Sequence, residues 1–297
     1  MKGAATRFAI FGNTYQLEKS ANLVRVLQAL RASAAYISIE HTFFQFIRKS
    51  LPKEFLPDET FNNSDFSADF VISIGGDGTF LKSAAAVGSK GIPIIGINTG
   101  RLGFLADNTP EEIESLIEGL AHGKYSIEKR SVLRVASPRR RLSISLYALN
   151  EIAILKHDNS SMIGIQVSVD NTYLNTYQSD GLILSTPTGS TGYSLSVGGP
   201  IVMPNSHSII ISPVAAHSLN VRPIIINDDS TIHLKVASRN HSFLLSVDGR
   251  SQSLPEEATL TLRKAPYYTY IVRKYGHHYF DTLRNKLMWG ADKRTDL

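Results

Sequence analysis

The 297-residue sequence contains no cysteine and a single tryptophan. The lack of cysteine excludes disulfides, zinc–thiolate sites and a thiol nucleophile. No apolar run approaches the roughly 18 residues that a membrane span requires. The apolar stretch at residues 8–11 is also too short for the core of a signal peptide. We therefore expect a soluble, cytoplasmic protein with no membrane partner.

The charge balance is only moderately basic. Thirty-one Lys and Arg residues face 26 Asp and Glu residues, a net charge of +5. A basic surface attracts anionic metabolites as readily as nucleic acid. The densest basic cluster, residues 139–141, precedes an alternating segment and is typical of a solvated hairpin tip. Zinc-finger spacing and an aromatic RNA-binding signature are both missing, so we expect no nucleic-acid partner.

The first 125 residues alternate predicted strands with predicted helices. Thr109, Pro110 and Glu112 form a helix start with a capping box. Residues 56–67 are polar and predict a loop. The apolar patterns predict strands at 6–11, 35–39, 70–74 and 92–97, and helices at 20–32, 41–51, 80–87 and 109–122. This alternation predicts a parallel, Rossmann-like α/β domain.

After about residue 126 the pattern changes to short segments that often alternate apolar and polar residues. These segments predict strands at 142–146, 163–169, 182–184, 209–211, 231–236, 243–247 and 259–262. Residues 279–289 return to helical spacing, with Phe280, Leu283, Leu287 and Met288 on one face. We expect an all-β, sandwich-like domain at 126–271, and an α/β domain at 1–125 plus 272–297 on which the terminal helix packs back.

The central motif of the sequence is Gly75-Gly76-Asp77-Gly78-Thr79, between a predicted strand and a predicted helix. Glycines let the backbone approach an anion closely, and a helix N-terminus presents unpaired N–H groups to it. Phosphate would repel Asp77 unless the carboxylate holds a metal or accepts a proton. This conflict favours catalysis, although a tight turn in which Asp77 only caps the helix is the alternative.

Two further stretches carry polar groups in apolar surroundings. Residues 98–105 follow the carboxyl end of the 92–97 strand, where ligands bind in open α/β sheets. A buried loop is the alternative there. Asn150 and Glu151 interrupt an apolar segment and must be satisfied. They suit a ribose and an adenine or amide edge, or else they face water from an ordinary alternating strand.

Residues 179–200 form a hydroxyl-rich segment. Eight of the twelve residues at 185–196 carry a hydroxyl group. A flexible linker is the alternative, but a linker would not begin with the apolar run at 182–184. The segment contains no lysine and is therefore not a P-loop. Its neutral donors and acceptors suit a sugar and an amide.

Together and in this order, the four stretches resemble NAD kinases. The resemblance spans roughly residues 70–250 and implies ATP-dependent phosphorylation of NAD at the 2′-hydroxyl of its adenosine ribose. It implies that Asp77 is the general base and that phosphates bind at Gly75, Gly76, Gly78 and Thr79. It also implies that NAD contacts Asp77, Gly78, Lys82, Asn150, Glu151, Asp180, Thr191, Gly192, Tyr193, Ser194, Leu195, Ser196 and Arg250.

The same resemblance implies a divalent metal ion, Mg²⁺, which we expect to be carried on ATP because no cluster of acidic residues suggests an all-protein metal site. It implies a homo-oligomer, dimeric or tetrameric, with NAD sites completed by a neighbouring subunit and an active site at the domain interface. Relatives usually have alanine at the position of Gly192 and often a basic residue at Gln178. His217 and Arg222 match a further family segment, where a structural role and a substrate contact are both open.

Two other functions remain as alternatives. A lipid kinase could share the glycine motif, but such kinases usually carry Gly-Thr-Gly-Asn-Asp-Phe after the next strand. Here residues 98–103 read Asn-Thr-Gly-Arg-Leu-Gly instead. A non-catalytic dinucleotide sensor would have no use for Asp77. The sequence leaves open the preferred phosphate donor and the choice between NAD and NADH.

Overall fold

The computed structural model describes residues 5–14, 20–99, 103–138, 141–157 and 161–289. Its strands are β1 (Arg7–Gly12), β2 (Tyr36–Glu40), β3 (Glu59–Phe61), β4 (Phe70–Gly75), β5 (Ile94–Asn98), β6 (Tyr125–Arg130), β7 (Leu133–Ala136), β8 (Tyr147–Ala148), β9 (Glu151–Lys156), β10 (Ile163–Val169), β11 (Thr172–Ser179), β12 (Gly181–Ser185), β13 (Ser208–Val214), β14 (Ile224–Asn227), β15 (Ile232–Ala237), β16 (Ser242–Val247), β17 (Arg250–Pro255), β18 (Leu260–Lys264) and β19 (Thr269–Lys274). Its helices are α1 (Ser20–Ala32), α2 (His41–Ile47), α3 (Asp77–Val87), α4 (Ile113–Ala121), α5 (Tyr193–Ser196) and α6 (Tyr279–Leu287).

The chain divides into two compact units. The first unit comprises Met1–Lys129 and Thr269–Leu297, and the second comprises Arg130–Tyr268. The first unit combines helices with a parallel sheet, whereas antiparallel sheets make up the second. The predicted fold class, an α/β domain followed by an all-β domain, is therefore confirmed. No helix among the described residues combines the length and the apolar character that crossing a membrane demands.

The sheet of the first unit has the order β3-β2-β1-β4-β5-β19-β6. The neighbours from β3 to β19 pair in parallel. Parallel strands covered on both faces are apolar throughout, and β4 accordingly buries Val71, Ile72 and Ile74. The strand order reverses between β1 and β4, which makes this pair the topological switch point of the sheet. The glycine motif follows β4 and so lies where open α/β sheets bind ligands.

Some predicted elements of the first unit differ from the structure. Strand β3 lies inside the predicted loop at 56–67 and pairs with the edge of β2. Three residues, of which only Phe61 is buried, produce too weak a pattern to detect. Helix α3 begins at Asp77, earlier than predicted. The capping box of Thr109 and Glu112 is confirmed, although it starts a 3₁₀ turn that leads into α4.

Helix α6 belongs to the first unit, as predicted. Its expected apolar face is only partly buried, since Leu283 is 2% exposed while Phe280 and Met288 are 53% and 68% exposed. Polar contacts hold the start of the helix instead. The His277 Nε2 atom lies 2.9 Å from Thr282 Oγ1 and 3.1 Å from Asp107 Oδ2. The helix is therefore anchored by side chains that the apolar pattern does not report.

The second unit contains two six-stranded sheets, β11-β10-β15-β18-β7-β8 and β14-β13-β12-β9-β16-β17. Alternate residues of both sheets meet in one core, for example Ile152 and Ile154 of β9 with Ile165 and Val167 of β10. The sandwich prediction is therefore confirmed.

The predicted strand at 142–146 does not form. Leu142 and Ile144 pack against the sandwich core, but the Ser143 backbone N–H donates to the Gln252 side chain at 2.8 Å rather than to a neighbouring strand. Near the other end of this segment the Leu146 carbonyl oxygen still accepts the Val135 N–H at 2.8 Å, so a single backbone contact stands where the alternation suggested a ladder.

Candidate functional site

The glycine motif forms a tight turn between β4 and α3. Gly75 has φ 154°, and a Cβ atom there would lie 2.4 Å from Thr79 Oγ1, so a side chain is excluded. At Gly76 and Gly78 an added Cβ would meet nothing within 4 Å. The backbone is therefore open at the start of α3, where the N–H groups of Thr79 and Phe80 donate to the Gly76 carbonyl oxygen and those of Asp77 and Gly78 precede the first helical acceptor. This geometry suits an anion.

The Asp77 carboxylate binds a neighbouring loop rather than capping its own helix. Its Oδ2 atom accepts the backbone N–H of Phe104 at 2.9 Å, and its Oδ1 atom accepts those of Leu105 at 3.0 Å and Ala106 at 3.3 Å. A carboxylate oxygen has two lone pairs, so Oδ2 retains one for a substrate proton. Asp77 can therefore position the loop and act as a base at once.

The segment 103–108 is tightly packed around Asp77. A Cβ atom on Gly103 would lie 2.6 Å from Asp77 Oδ1. A Cβ atom on Gly96 of β5 would lie 2.6 Å from the Ala106 Cα atom. Gly96 is required because two backbones approach closely there, and Gly103 leaves the space that the Asp77 carboxylate occupies. Residues 100–102 of the predicted ligand loop lie outside the described residues.

A buried arginine supports the same segment from β19. Arg273 is 3% exposed. Its Nη1 atom lies 2.5 Å from Asp107 Oδ1 and 3.5 Å from the Leu105 carbonyl oxygen. Its Nε atom lies 3.0 Å from Glu128 Oε2. Burial opposes ionisation of Asp107, yet Arg273 and His277 hold the pKa of its carboxyl below the ordinary value. Nothing in the local sequence indicates this ion-pair network, because Arg273 and Asp107 are far apart along the chain.

Lys82, the remaining predicted contact of this unit, lies on α3 one helical turn after Gly78 and is exposed.

In the second unit, Asn150 and Glu151 lie at the start of β9 and their backbone is fixed from two sides. The N–H groups of Leu149, Asn150 and Glu151 donate to the Asp248 carboxylate at 2.8, 2.9 and 3.1 Å. From the other side, Thr186 Oγ1 donates to the Leu149 carbonyl oxygen at 2.6 Å and Thr186 N to the Asn150 carbonyl oxygen at 2.9 Å. Asp248, which holds this backbone, is not among the predicted site residues, although the predicted contact Arg250 follows it by two positions.

The hydroxyl-rich segment lies directly against Asn150 and Glu151. A Cβ atom on Gly189 would be 2.2 Å from the Asn150 carbonyl oxygen, so this position requires glycine. A Cβ atom on Gly192 would be 3.0 Å from Glu151 Oε2. The backbone N–H of Tyr193 also donates to the Glu151 carboxylate. The segment is therefore part of the folded unit and not a linker.

Asn150, Glu151 and Arg250 carry buried polar atoms that lack a partner. Among the described residues, Asn150 Oδ1, Glu151 Oε2 and the Nε and Nη2 atoms of Arg250 are buried without a hydrogen-bond partner. Each such atom costs about 1–3 kcal/mol, so a group of them calls for a polar ligand. Asn150 and Glu151 offer acceptors for hydroxyl or amino groups, and Arg250 offers cationic donors for an anionic group.

Burial is the main cause of the raised pKa values of Glu151 and Asp248. Burial, with a smaller contribution from the charge of Asp248, raises the pKa of Glu151 to about 7. Burial also raises the pKa of Asp248, although three backbone N–H groups and Arg250 oppose that shift. Glu151 therefore changes its protonation state near neutral pH.

The structure does not bring every predicted residue together. Asp180 forms an ion pair with Lys156 at 2.8 Å. Within β12, Gly181 pairs with Leu155, while Ser185 at the other end pairs with Glu151. Four residues of a strand span roughly 14 Å, so Asp180 lies at the far end from Glu151.

The members of the 191–196 segment differ in accessibility. Ser194 is fully buried, with its Oγ atom 3.1 Å from Ser212 Oγ. Thr191, Gly192 and Leu195 are partly buried, and Tyr193 and Ser196 are exposed. Ser194 therefore holds the segment in place, while its neighbours remain accessible.

Arg222 has a structural role in its own loop, because its Nη1 atom donates to the carbonyl oxygens of Leu219 at 2.6 Å and Val221 at 2.8 Å. The His217 backbone N–H donates to the Gln178 carbonyl oxygen at 2.9 Å. Over the described ranges, no three His, Asp or Glu side chains lie close enough to hold a metal ion.

Comparison with known proteins identifies the family. The model of the ATP-NAD kinase N-terminal domain matches residues 9–125, and that of the ATP-NAD kinase C-terminal domain matches residues 149–274. The NAD kinase of Bacteroides fragilis is 54% identical over 288 residues, which cover 97% of this chain and 99% of that protein. The NAD kinase of Flavobacterium psychrophilum is 41% identical over 292 residues, again covering 97% and 99%.

Solved structures agree with this assignment. An NAD kinase from Archaeoglobus fulgidus in complex with ATP is 25% identical, with a TM-score of 0.72 over 95% of this chain and 98% of that chain. Yeast NADH kinase complexed with NADH is 23% identical and shares the fold, with a TM-score of 0.88 over 100% of this chain and 91% of that chain. The chain therefore belongs to the ATP-NAD kinase family, and its activity is the ATP-dependent phosphorylation of NAD.

Proposed function

We propose that Asp77 is the general base that accepts the proton of the adenosine-ribose 2′-hydroxyl as the γ-phosphate of ATP is transferred, giving NADP and ADP. The observation that carries this role is the fixed carboxylate, which three backbone N–H groups hold while Oδ2 keeps a lone pair. A positioned base is worth roughly 10²–10⁴-fold in rate. The open backbone at Gly76 and Gly78 supports phosphate binding beside it.

The unpaired atoms of the second unit support NAD binding there. In this proposal Glu151 Oε2 and Asn150 Oδ1 accept hydrogen bonds from the dinucleotide, and Arg250 donates to it. The accessible residues Thr191, Gly192, Tyr193, Leu195 and Ser196 line the same place. We predict that these groups and Asp77 act on the same bound NAD.

The divalent metal enters with the nucleotide as Mg-ATP. Phosphoryl transfer requires positioning and charge neutralisation, and Mg²⁺ is usually held through substrate phosphates and water. Since this chain's described residues offer no cluster of metal ligands, we assign the ion to the substrate. Lys82, exposed on α3, adds a positive charge that can approach a phosphate.

We also propose that the enzyme acts as a homo-oligomer, dimeric or tetrameric, in the cytoplasm, where NAD and ATP are available. The register of β12 motivates this proposal: Asp180 lies at the opposite end of that strand from Glu151, and we propose that it contacts the NAD bound by a neighbouring subunit.

Mixing two inactive variants, Asp77→Asn and Asp180→Asn, tests this arrangement. Mixed oligomers should regain NADP formation because some sites contain both native residues. If subunit exchange occurs and activity does not return, the shared site is wrong.

The activity itself is tested by incubating the protein with NAD and Mg-ATP and measuring NADP with a coupled NADP-dependent dehydrogenase. We expect NADP to form, and replacing ATP by other nucleotides or polyphosphate, or NAD by NADH, determines the preferences. NAD binding without consumption of any donor would instead indicate a dinucleotide sensor. A product from diacylglycerol or a sphingoid base, with none from NAD, would indicate a lipid kinase.

A further inference from the structure

Asp248 has no role in the chemistry described so far, yet its carboxylate makes more backbone contacts than a turn requires. It accepts the N–H groups of three successive residues, Leu149 to Glu151, and its own backbone N–H donates to the Glu151 carbonyl oxygen at 3.1 Å. The partners lie 97–99 residues earlier in the chain. This contact joins a hairpin turn to the backbone of the two residues with unpaired side-chain atoms.

The hairpin holds the carboxylate in a fixed place. Asp248 and Gly249, at φ 47° and 78°, form the two-residue turn between β16 and β17. Such turns need both residues in the left-handed region, which Asp and Gly tolerate. Strand β16 pairs with β9 through Val247 and Ile152, which places the turn beside Asn150 and Glu151.

We propose that Asp248 is a positioning residue for substrate binding: it fixes the backbone of residues 149–151 so that the side chains of Asn150 and Glu151 face the dinucleotide. The inference rests on the proposed binding of NAD by Asn150 and Glu151.

Only a carboxylate supplies acceptors on both oxygens, so an amide at this position would turn an NH₂ group toward at least one backbone N–H. Thr186 binds the carbonyl oxygens of Leu149 and Asn150 in the same segment, and Gly189 packs against the Asn150 carbonyl oxygen. Loss of Asp248 would therefore release one side of a segment whose other side stays fixed.

The test is Asp248→Asn, with NAD binding measured by calorimetry and rates measured in the coupled NADP assay. We expect the Kd and KM for NAD to rise at least about tenfold, because a buried donor is left unpaired. The KM for ATP should change less than about twofold, and kcat at saturating NAD less than about threefold, since the loss is one of binding. Backbone hydrogen exchange at 149–151 should accelerate.

Asp170→Asn is the matched control. Asp170 has φ 49° in the turn between β10 and β11 of the same unit, and its Oδ1 accepts the Thr231 N–H at 2.8 Å. This variant undergoes the same chemical change in a similar turn, away from residues 149–151. Because an Asn Oδ1 can still accept the exposed Thr231 N–H, its stability should change little, and its Kd for NAD should stay within about twofold of the native value.

Asn150→Ala distinguishes an error in the proposed NAD site from an error in the positioning role of Asp248. If Asn150→Ala weakens NAD binding while Asp248→Asn lowers stability only, Asp248 is a structural residue and the proposal is wrong. If Asn150→Ala leaves the Kd for NAD unchanged, the proposed NAD site is wrong and the inference falls with it. Should Asp248→Asn fail to fold, Asp248→Ser retains one acceptor and should show the same selective rise in the Kd for NAD.

Discussion

Asp77 Oδ2 lies 2.9 Å from the backbone nitrogen of Phe104 and accepts its hydrogen bond across 27 residues of sequence. The contact joins the glycine motif to the segment that follows β5, so the proposed catalytic group also shapes the loop beside it. Asp248 repeats the arrangement in the second unit, again with three successive backbone N–H groups. Each aspartate therefore combines charge with control of local backbone geometry.

Asp77→Asn should lower kcat by at least about two orders of magnitude while NAD binding remains measurable. It should also lower the free energy of unfolding by about 1–3 kcal/mol, because the new NH₂ group faces a backbone donor. The coupled NADP assay and urea denaturation measure the two effects. A near-normal rate would refute the general-base role.

Gly103→Ala is the control for the loop. The added Cβ atom would lie 2.6 Å from Asp77 Oδ1, so the change displaces the loop whose N–H groups bind Asp77 but keeps the carboxylate. We expect a loss of stability with a smaller loss of rate than in Asp77→Asn. An equal loss of rate would assign the effect of Asp77 to loop position and not to proton transfer.

Glu151 should make the stability depend on pH. Its pKa in the folded protein is about 7, above the ordinary 4.5, so the folded state keeps a proton that the unfolded state releases. The resulting stability is fully present below pH 4.5 and is lost as pH rises through 7, a change of roughly 3 kcal/mol. Urea denaturation at pH 5 and pH 8 should show this difference in the native protein, relative to Glu151→Gln. Parallel pH profiles of the two proteins would contradict the shift.

Gly189→Ala should weaken NAD binding at least about tenfold and destabilise the second unit by about 1–3 kcal/mol. Its Cβ atom would lie 2.2 Å from the Asn150 carbonyl oxygen, and backbone cannot move aside cheaply. Gly192→Ala is the control, because its nearest atom, Glu151 Oε2 at 3.0 Å, belongs to a side chain. Calorimetry with NAD should find the control within about threefold of the native protein. Equal effects of both changes would contradict the packing argument.

Arg273→Met should lower the free energy of unfolding by about 3–5 kcal/mol, because it removes the guanidinium from the buried Asp107 carboxylate and leaves only His277 beside it. The neighbouring Lys274→Met removes only an exposed pair with Glu112 and should cost less than about 1 kcal/mol. Thermal and urea denaturation of both variants measure the contrast. A similar cost for the two changes would show that the buried network contributes no more than a surface pair.

Local pattern accounts for much of the fold. Continuous apolar runs predicted β4 and β5 because a parallel sheet covers both faces of its strands. The capping box at Thr109 was visible because its two partners are three residues apart. Residues 142–146 misled the prediction, since alternation reports which side chains are buried and not which groups pair with the backbone.

By itself, the sequence determined the two fold classes, the glycine turn at Asp77 and the hydroxyl-rich segment, since each depends on residues that are neighbours in the chain. Only the tertiary structure decided that Asp248 holds residues 149–151, that Arg273 pairs with Asp107 and that Asp180 lies away from Glu151. These relationships depend on strand order and register, which fix the positions of residues that are not neighbours in the chain. Local periodicity carries no information about such distant polar pairs.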